Sequence, residues 1–502
     1  MTLEVKMWGR IGKLAAPVIL AMLTQTAINI MDTVMVGWLE PSYSIAGQSA
    51  LGYSLPLLWS VGGFLSALSV GTLAITARRF GEGKFEKSGQ TLTNSVTIAV
   101  ISGIVFSIGS YLAVPYVFPL LNDNESVLAF GIPYAQLRLL GVLSMVATIS
   151  FKSFFDGIGK THVHMVIAII MNAANIILNY LLIFGIGPFP RLYVAGAGLA
   201  SLIATYIGLA IMILWALSPK YIKKFKYFSR SKLSKKVAWA IVRISFPSGL
   251  ATVFAMMGFL MFLKIVGYLD TMAVEETLSA TAAYGGPFAK SFASLQHQLF
   301  DSHDFFGRIY VSDLAFMSIE ARPPIFASGA KVIMDLLSIT FMSAIAFGTA
   351  TATLVSQSMG KGDPELAEKY GWESAKLGGL LFGLIGLLTF IWPEVALGLL
   401  SRDQAVITAA IPSIRVLASI EWAIGIGLIL TQALFGAGNS KFVMYVEGTL
   451  HVVCLVPLAY ILGIRLELGP VGVWSSAVIY IILLASIMGW KFRGGSWKTI
   501  KV

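Results

Sequence analysis

Long apolar runs alternate with short polar connections along this chain, and the runs reach the length of about 20 residues that carries a helix across a bilayer. Twelve spans are predicted, at 11–37, 50–77, 91–115, 130–155, 163–187, 194–218, 237–268, 326–356, 374–398, 411–436, 441–463 and 470–490. The pattern also repeats. Pro17 falls opposite Pro247, and Val36-Gly37-Trp38-Leu39 opposite Val266-Gly267-Tyr268-Leu269, an offset of 230. Ser66-Ala67 and Gly71-Thr72 match Ser343-Ala344 and Gly348-Thr349, and Arg138 matches Arg415, at 277, while Gly157 and Gly159 match Gly436 and Gly438 at 279. The jump from 230 to 277 places about 47 extra residues between the first two spans of the second half, at about 281–325.

Six spans in each half give equivalent helices the same orientation, so the halves are related by an axis along the membrane normal. The expected fold is an all-α integral membrane protein: twelve transmembrane helices in two six-helix pseudo-symmetric lobes around a central cavity. Residues 1–218 form the first lobe, 219–236 a basic linker, and 237–502 the second lobe with its extracellular insert. Such halves rock against each other to expose a site alternately to either side.

Composition agrees with the spans. Hydrophobic residues make up 57% and charged residues 12% of the 502, with mean hydropathy +0.80; soluble domains carry about 25% charged residues. The net charge of +11 invites a nucleic-acid reading, but the basic residues gather in alternate loops: 26 on one side against 6 on the other. The positive-inside rule then puts both termini in the cytoplasm of a multi-pass protein of a prokaryotic plasma membrane. The single cysteine, Cys454, excludes a disulfide scaffold. The basic N-terminus with its apolar run imitates a signal peptide but is too long and has no cleavage pattern.

An ordered set of motifs resembles one family. Asp32-Thr33 with Val36-Gly37, Gly71-Thr72 leading to Gly81-Glu82-Gly83, and Phe155-Asp156-Gly157-Ile158-Gly159-Lys160-Thr161 are similar to segments of the multidrug and toxin extrusion (MATE) family. So are Asn175-Ile176 through Asn179-Tyr180 to Gly185, Ala195-Gly196-Ala197, and Phe435-Gly436-Ala437-Gly438-Asn439. The resemblance covers the chain apart from the insert. It implies efflux of drugs and toxins driven by a sodium or proton gradient, with no cofactor.

Among polar residues Asp32 stands out, a carboxylate about 20 residues into an apolar span. Buried there, it must be protonated, paired or bound to a cation, and each option is a coupling chemistry. Asn172, Asn175 and Asn179 share a helix face, and Ser201 reaches a comparable depth from the opposite direction. One carboxylate among neutral oxygens suits Na⁺, with Asp32, Asn175 and Asn179 as ligands, and the carboxylate alone suits a proton. By resemblance these positions match the family's first-half cation site. Some members also carry an acid on the seventh span, which is absent here between Pro247 and Gly267.

Glu421, near mid-membrane, is a candidate contact for a cationic substrate, or an ion-pair partner of Arg415 or Lys331. Met256, Met257 and Met261 supply an adaptable wall for varied ligands, with lipid contact or packing as the plainer reading. Pro17 and Pro247 are candidate hinges. His297, Asp301, His303 and Asp304 in the insert fit no standard metal spacing.

The expected activity is a monomeric secondary antiporter exporting organic cations in exchange for Na⁺ or H⁺. The alternatives are a flippase for lipid-linked saccharides, an intramembrane enzyme and a passive channel. A flippase needs a cationic groove, yet Arg138, Lys264, Lys331 and Arg415 are the basic residues within or beside spans. An enzyme has its nearest approach in His451 with Glu447, beside which no nucleophile stands. A duplicated chain describes a rocking carrier better than a symmetric pore.

Overall fold

A computed structural model describes residues 3–121, 124–228, 232–284, 325–401 and 403–500. The chain forms twelve spans in two lobes. In the first lobe, α1 is Leu3–Gly37, and α2 runs as Pro41–Ser66 through Ala67 into Leu68–Gly81. Next come α3 (Phe85–Val117), α4 (Glu125–Leu140 and, past Gly141, Val142–Gly157), α5 (His162–Phe184) and α6 (Tyr193–Ala216). In the second lobe α7 is Lys235–Tyr284, α8 Ile325–Gly360, α9 Pro364–Ile391, α10 Gln404–Ala418 with Glu421–Ala437, α11 Ser440–Arg465 and α12 Gly469–Arg493.

Several ends differ from the sequence reading. The tenth span begins at Gln404 and turns by 54° between its two halves, a bend that no Gly or Pro at Ser419-Ile420 announces. The ninth starts earlier and stops at Ile391, because the residue before Pro393 cannot continue a helix. The seventh helix continues beyond its apolar part to Tyr284. Most of the insert, with His297, Asp301, His303 and Asp304, lies outside the described residues. Pro17 and Pro247 sit inside continuous helices, so neither breaks its span.

Each lobe lends the start of its first helix to the other. Met7, Ile11 and Ala15 of α1 pack in one cluster with Phe347, Leu354 and Leu434 of the second lobe. Val237, Ile241 and Ile244 of α7 pack with Ile75, Ala99 and Val142 of the first. Met7 with Val237 and Ile11 with Ile241 are related by the repeat offset of 230, so the exchange is pseudo-symmetric. Higher up, α1 returns to its own lobe, with Met35, Val36 and Leu39 packed among Leu51, Tyr134, Ile183 and Val194.

The end of the molecule bearing both termini is tightly closed. A Cβ on Gly81 of α2 would fall on the carbonyl oxygen of Gln357 in α8, and one on Gly360 of α8 on the carbonyl of Arg78 in α2. Those residues obey the repeat offset of 279, which makes the crossing two-fold. Around it the Gln357 side-chain amide donates to the Gly157 carbonyl at 2.8 Å, Thr353 Oγ1 donates to the Asp156 carbonyl at 3.2 Å, and Ser356 donates to the Gly436 carbonyl. The tail closes over the seam, with Arg78 Nη1 donating to the Ile500 carbonyl at 2.6 Å.

At the opposite, far end, Arg191 Nη2 bonds both carboxylate oxygens of Glu40 at 2.8 Å, and Tyr43 stacks on Tyr193 at 4.4 Å. Hydrogen bonding by Arg191 holds the Glu40 carboxyl below its usual range. A depressed carboxyl contributes stability above its unfolded pKa and loses it as pH falls through its folded pKa. This pair is exposed, so Arg191→Gln is expected to change the melting temperature at pH 7 by less than about 2 °C. Its acid-side pH dependence should flatten, which thermal unfolding at pH 7 and pH 4 measures.

Candidate functional site

Within the first lobe α1 packs on α5, α5 on α6, and the outer half of α4 on α6. Asp32 lies five residues short of the end of α1 and is 1% exposed. A carboxylate this deep is stable only with hydrogen-bonding and charged partners, and three helices supply them. Asn179 Nδ2 of α5 donates to Asp32 Oδ1 at 2.6 Å. Ser201 Oγ of α6 donates to Oδ2 at 3.2 Å, and Arg138 Nη1 of α4 lies 3.3 Å from the same oxygen. Arg138 Nη1 also donates to Ser201 Oγ at 2.7 Å. Asn175 completes the ring: its Nδ2 donates to Ser201 Oγ at 3.0 Å and its Oδ1 accepts from Asn179 at 3.3 Å.

The local reasons are readable. Asn175 and Asn179 lie four apart on one face of α5, and both are buried. Arg138 sits thirteen residues into α4, just before the break at Gly141. Helical Cα–Cβ bonds tilt toward the N-terminus, which for α4 is the far end, so the long side chain extends along the lobe to meet Asp32. Its guanidinium also lies 5.9 Å from the Tyr134 ring. Arg138 is the more open partner, with its side chain 17% exposed against 2% for Asp32.

The structure brings together Asp32, Asn175, Asn179 and Ser201, and it adds Arg138, which sequence reading treats only as a repeat landmark and a basic residue in a span. Asn172 shares the face of Asn175, but its buried amide has no hydrogen-bond partner among the described residues. In the second lobe the offset of 230 puts Phe262 opposite Asp32. Phe262 is buried and lies edge-on to Trp474 at 4.9 Å, so that lobe has an aromatic contact where the first has a carboxylate.

The remaining candidates lie elsewhere. Glu421 is 2% exposed and packs on Gly386 of α9, and its Oε2 has no hydrogen-bond partner among the described residues. The pairing with Arg415 or Lys331 is not formed: Lys331 pairs with Asp335 at 3.0 Å, and Arg415 is exposed. Met256, Met257 and Met261 are exposed along α7. His451 Nδ1 contacts the Glu447 carbonyl at 2.7 Å and its ring lies 4.7 Å from Tyr480.

The donor set can be tested against Na⁺. Sodium requires oxygen lone pairs, and the amide oxygen of Asn179 is buried with no hydrogen-bond partner among the described residues. Both carboxylate oxygens of Asp32, however, already face donors: an amide N–H on one, a hydroxyl and a guanidinium on the other. In this arrangement the pocket fits the guanidinium it holds and does not fit a sodium ion beside it.

Known proteins agree with this architecture. A "Probable multidrug resistance protein NorM" of Thermotoga maritima is 22% identical over 97% of this chain and 92% of its own length. A "Multidrug resistance protein MdtK" of Pectobacterium atrosepticum is 21% identical over 96% of this chain and 94% of its own. Among solved structures, an outward-facing MATE-family multidrug resistance transporter of the MOP superfamily superposes with a TM-score of 0.78 at 18% identity, covering 98% of both chains. A MOP-superfamily transporter from Pyrococcus furiosus, whose binding pocket is described as having reversed polarity, gives 0.77 at 18% over the whole of both chains. The family model named MatE matches residues 17–181 and 314–461. Matched over more than half its length, and with two pseudo-symmetric lobes of six spans, the chain belongs to the MatE family.

Proposed function

We propose that this protein is a secondary antiporter that exports organic cations across the plasma membrane, driven by an ion gradient acting at Asp32. The observation that carries the reading is a buried carboxylate ringed by Asn179, Ser201 and Arg138 in one lobe, beside a partner lobe held to it through exchanged helix starts and a glycine crossing. A carboxylate so placed is sensitive to its occupant, and a change of charge there alters how the lobe meets its partner. The resemblance to proteins named for multidrug resistance supports a small-molecule substrate. Twenty-six basic residues on the terminus-bearing side against six on the other support both termini being cytoplasmic.

With the termini cytoplasmic, the closed terminal end supports a molecule sealed toward the cytoplasm. Occupation of Asp32 from outside favours release of the exported cation, and return to the inward-facing form discharges the ion inside. Coupling requires that ion and substrate prefer different states. One chain contains both lobes, so a monomer suffices. A flippase reading loses ground because the guanidinium of Arg138 is committed to Asp32 and Lys331 pairs with Asp335.

Purified protein in liposomes, given separately imposed sodium and proton gradients and a panel of lipophilic cations, tests the proposal. Uphill cation movement under one of these gradients is expected. Uptake that never exceeds equilibrium under either gradient would remove antiport.

A further inference from the structure

The geometry points to Arg138 as a built-in cation that occupies the place a coupling metal ion would take, so that the site exchanges protons and rejects Na⁺. This inference rests on the antiport reading of the same pocket and names its ion. Arg138 Nη1 lies 3.3 Å from Asp32 Oδ2 and 2.7 Å from Ser201 Oγ. Those are the carboxylate and hydroxyl oxygens on which a hard cation would sit. A sodium ion at Asp32 would therefore meet a fixed positive charge within a few ångströms, in surroundings where such repulsion is poorly screened. A proton needs no coordination shell, and on Asp32 it removes the charge that holds the guanidinium.

Access leads to the same ion. Asp32 is closed off at 2% side-chain exposure while Arg138 is 17% exposed, and the guanidinium already shares Oδ2 with the Ser201 hydroxyl. A metal ion must displace it, whereas a proton can be relayed past it. After protonation Arg138 keeps its bond to Ser201 but no longer faces a negative charge on Asp32. The added positive charge in the pocket then disfavours an organic cation nearby, which gives exchange without shared ligands.

The other titratable groups lie apart from Asp32: on α4 Asp156, also buried, sits beside Lys152 at 4.0 Å toward the terminal end. Tyr134, on α4 itself, faces the guanidinium, while α5 and α6 present Asn175, Asn179 and Ser201. Past the end of α1 the next carboxylate, Glu40, is bound to Arg191 at the far end. Of the helices packed on α1 and α4, α2 brings Gln48, which donates to the Thr33 carbonyl; α3 brings Glu86, paired with Lys226 and Lys232 at the terminal end; α8 brings the Lys331–Asp335 pair; and α9 brings Glu373, bound by Trp8 and Lys376.

Binding of radioactive sodium to the purified full-length protein, with thermal unfolding in sodium against choline, tests the assignment without any transport step. Wild type and Arg138→Lys are expected to bind no more sodium than Asp32→Asn and to show no sodium-dependent rise in melting temperature. Arg138→Gln should bind sodium at least about 100-fold more tightly than wild type and melt higher in sodium. Adding Asp32→Asn should abolish both gains. Sodium binding by wild type that Asp32→Asn removes, or a folded Arg138→Gln that gains none, overturns the proposal. If Arg138→Gln does not fold, wild type in liposomes decides: efflux driven by a pH gradient alone supports it, and efflux driven by a sodium gradient overturns it. Failure here leaves antiport standing, whereas uptake that never exceeds equilibrium under either gradient would remove antiport and leave the binding result intact.

Discussion

Asp32→Asn is expected to abolish ion-driven export of an organic cation while leaving a folded protein in the membrane. The amide matches the carboxylate in size and keeps one acceptor oxygen for either Asn179 or Ser201, so the pocket keeps its shape with one of these bonds lost. It cannot gain or lose charge at any working pH, and coupling depends on that change. The substitution also removes the negative charge beside the Arg138 guanidinium, and breaking a buried pair by removing one partner costs about 3–5 kcal/mol. Arg138 is partly exposed, so part of that cost is relieved by hydration and a lowered melting temperature, not loss of folding, is the expected result. In the double variant Asp32→Asn/Arg138→Gln the stability should recover and the coupling should not. Ethidium efflux in inverted vesicles, read beside thermal unfolding, separates the two effects. Unchanged ethidium efflux in Asp32→Asn would refute the role assigned to this residue.

Gly81→Ala and Gly360→Ala should each hold the terminal end open and cut efflux severely. In both cases a Cβ would land on a backbone carbonyl of the facing helix, and backbone cannot rotate away as a flexible side chain can. The α2–α8 crossing must widen, and widening also pulls on the bond from Gln357 to Gly157 and the bond from Thr353 to Asp156. Overpacking of this kind costs about 1–3 kcal/mol, which moves a two-state population by about 5- to 150-fold. A Thr353→Cys reporter in a Cys454→Ala background reads the change. Thr353 is fully buried at the seam, so maleimide labelling from the terminal side should rise in both glycine variants while efflux falls. Equal labelling would mean that this crossing is not the gate.

Much of this was legible in the sequence, for reasons that differ from residue to residue. Span number and lobe symmetry follow from apolar run length and from landmark pairs such as Pro17 with Pro247, because membrane helices repeat their hydrophobicity with their architecture. Asp32, Asn175, Asn179 and Ser201 could be grouped because helical rise converts residue number into depth and a spacing of four converts it into a shared face. Arg138 could not be placed this way: it starts about 20 Å along α4 by helical rise and reaches Asp32 through the length and tilt of its side chain. A weaker signal does exist. A charge buried within a span requires a partner, and in the first lobe Asp32 and Arg138 are oppositely charged residues inside spans.

The bend at Ser419-Ile420 has no local breaker, so it belongs to the packing of α10 against α8, α9 and α12. Its counterpart in the first lobe is the break at Gly141, related by 278 residues, which glycine does announce. Glu421 shows why depth alone is insufficient. Its sequence position suggests a mid-membrane depth, yet its stem packs on Gly386, a contact set by the rotation of α10 that no single-helix pattern encodes.

The central claim is that the exported cation and the coupling ion exclude each other through Asp32. Proton release on adding a lipophilic cation to purified protein in weakly buffered detergent tests it most directly. The account predicts that wild type releases protons as the cation binds, with the amount falling as the starting pH is raised, and that Asp32→Asn binds the same cation and releases none. Cation binding to wild type without proton release, or undiminished release from Asp32→Asn, would contradict it.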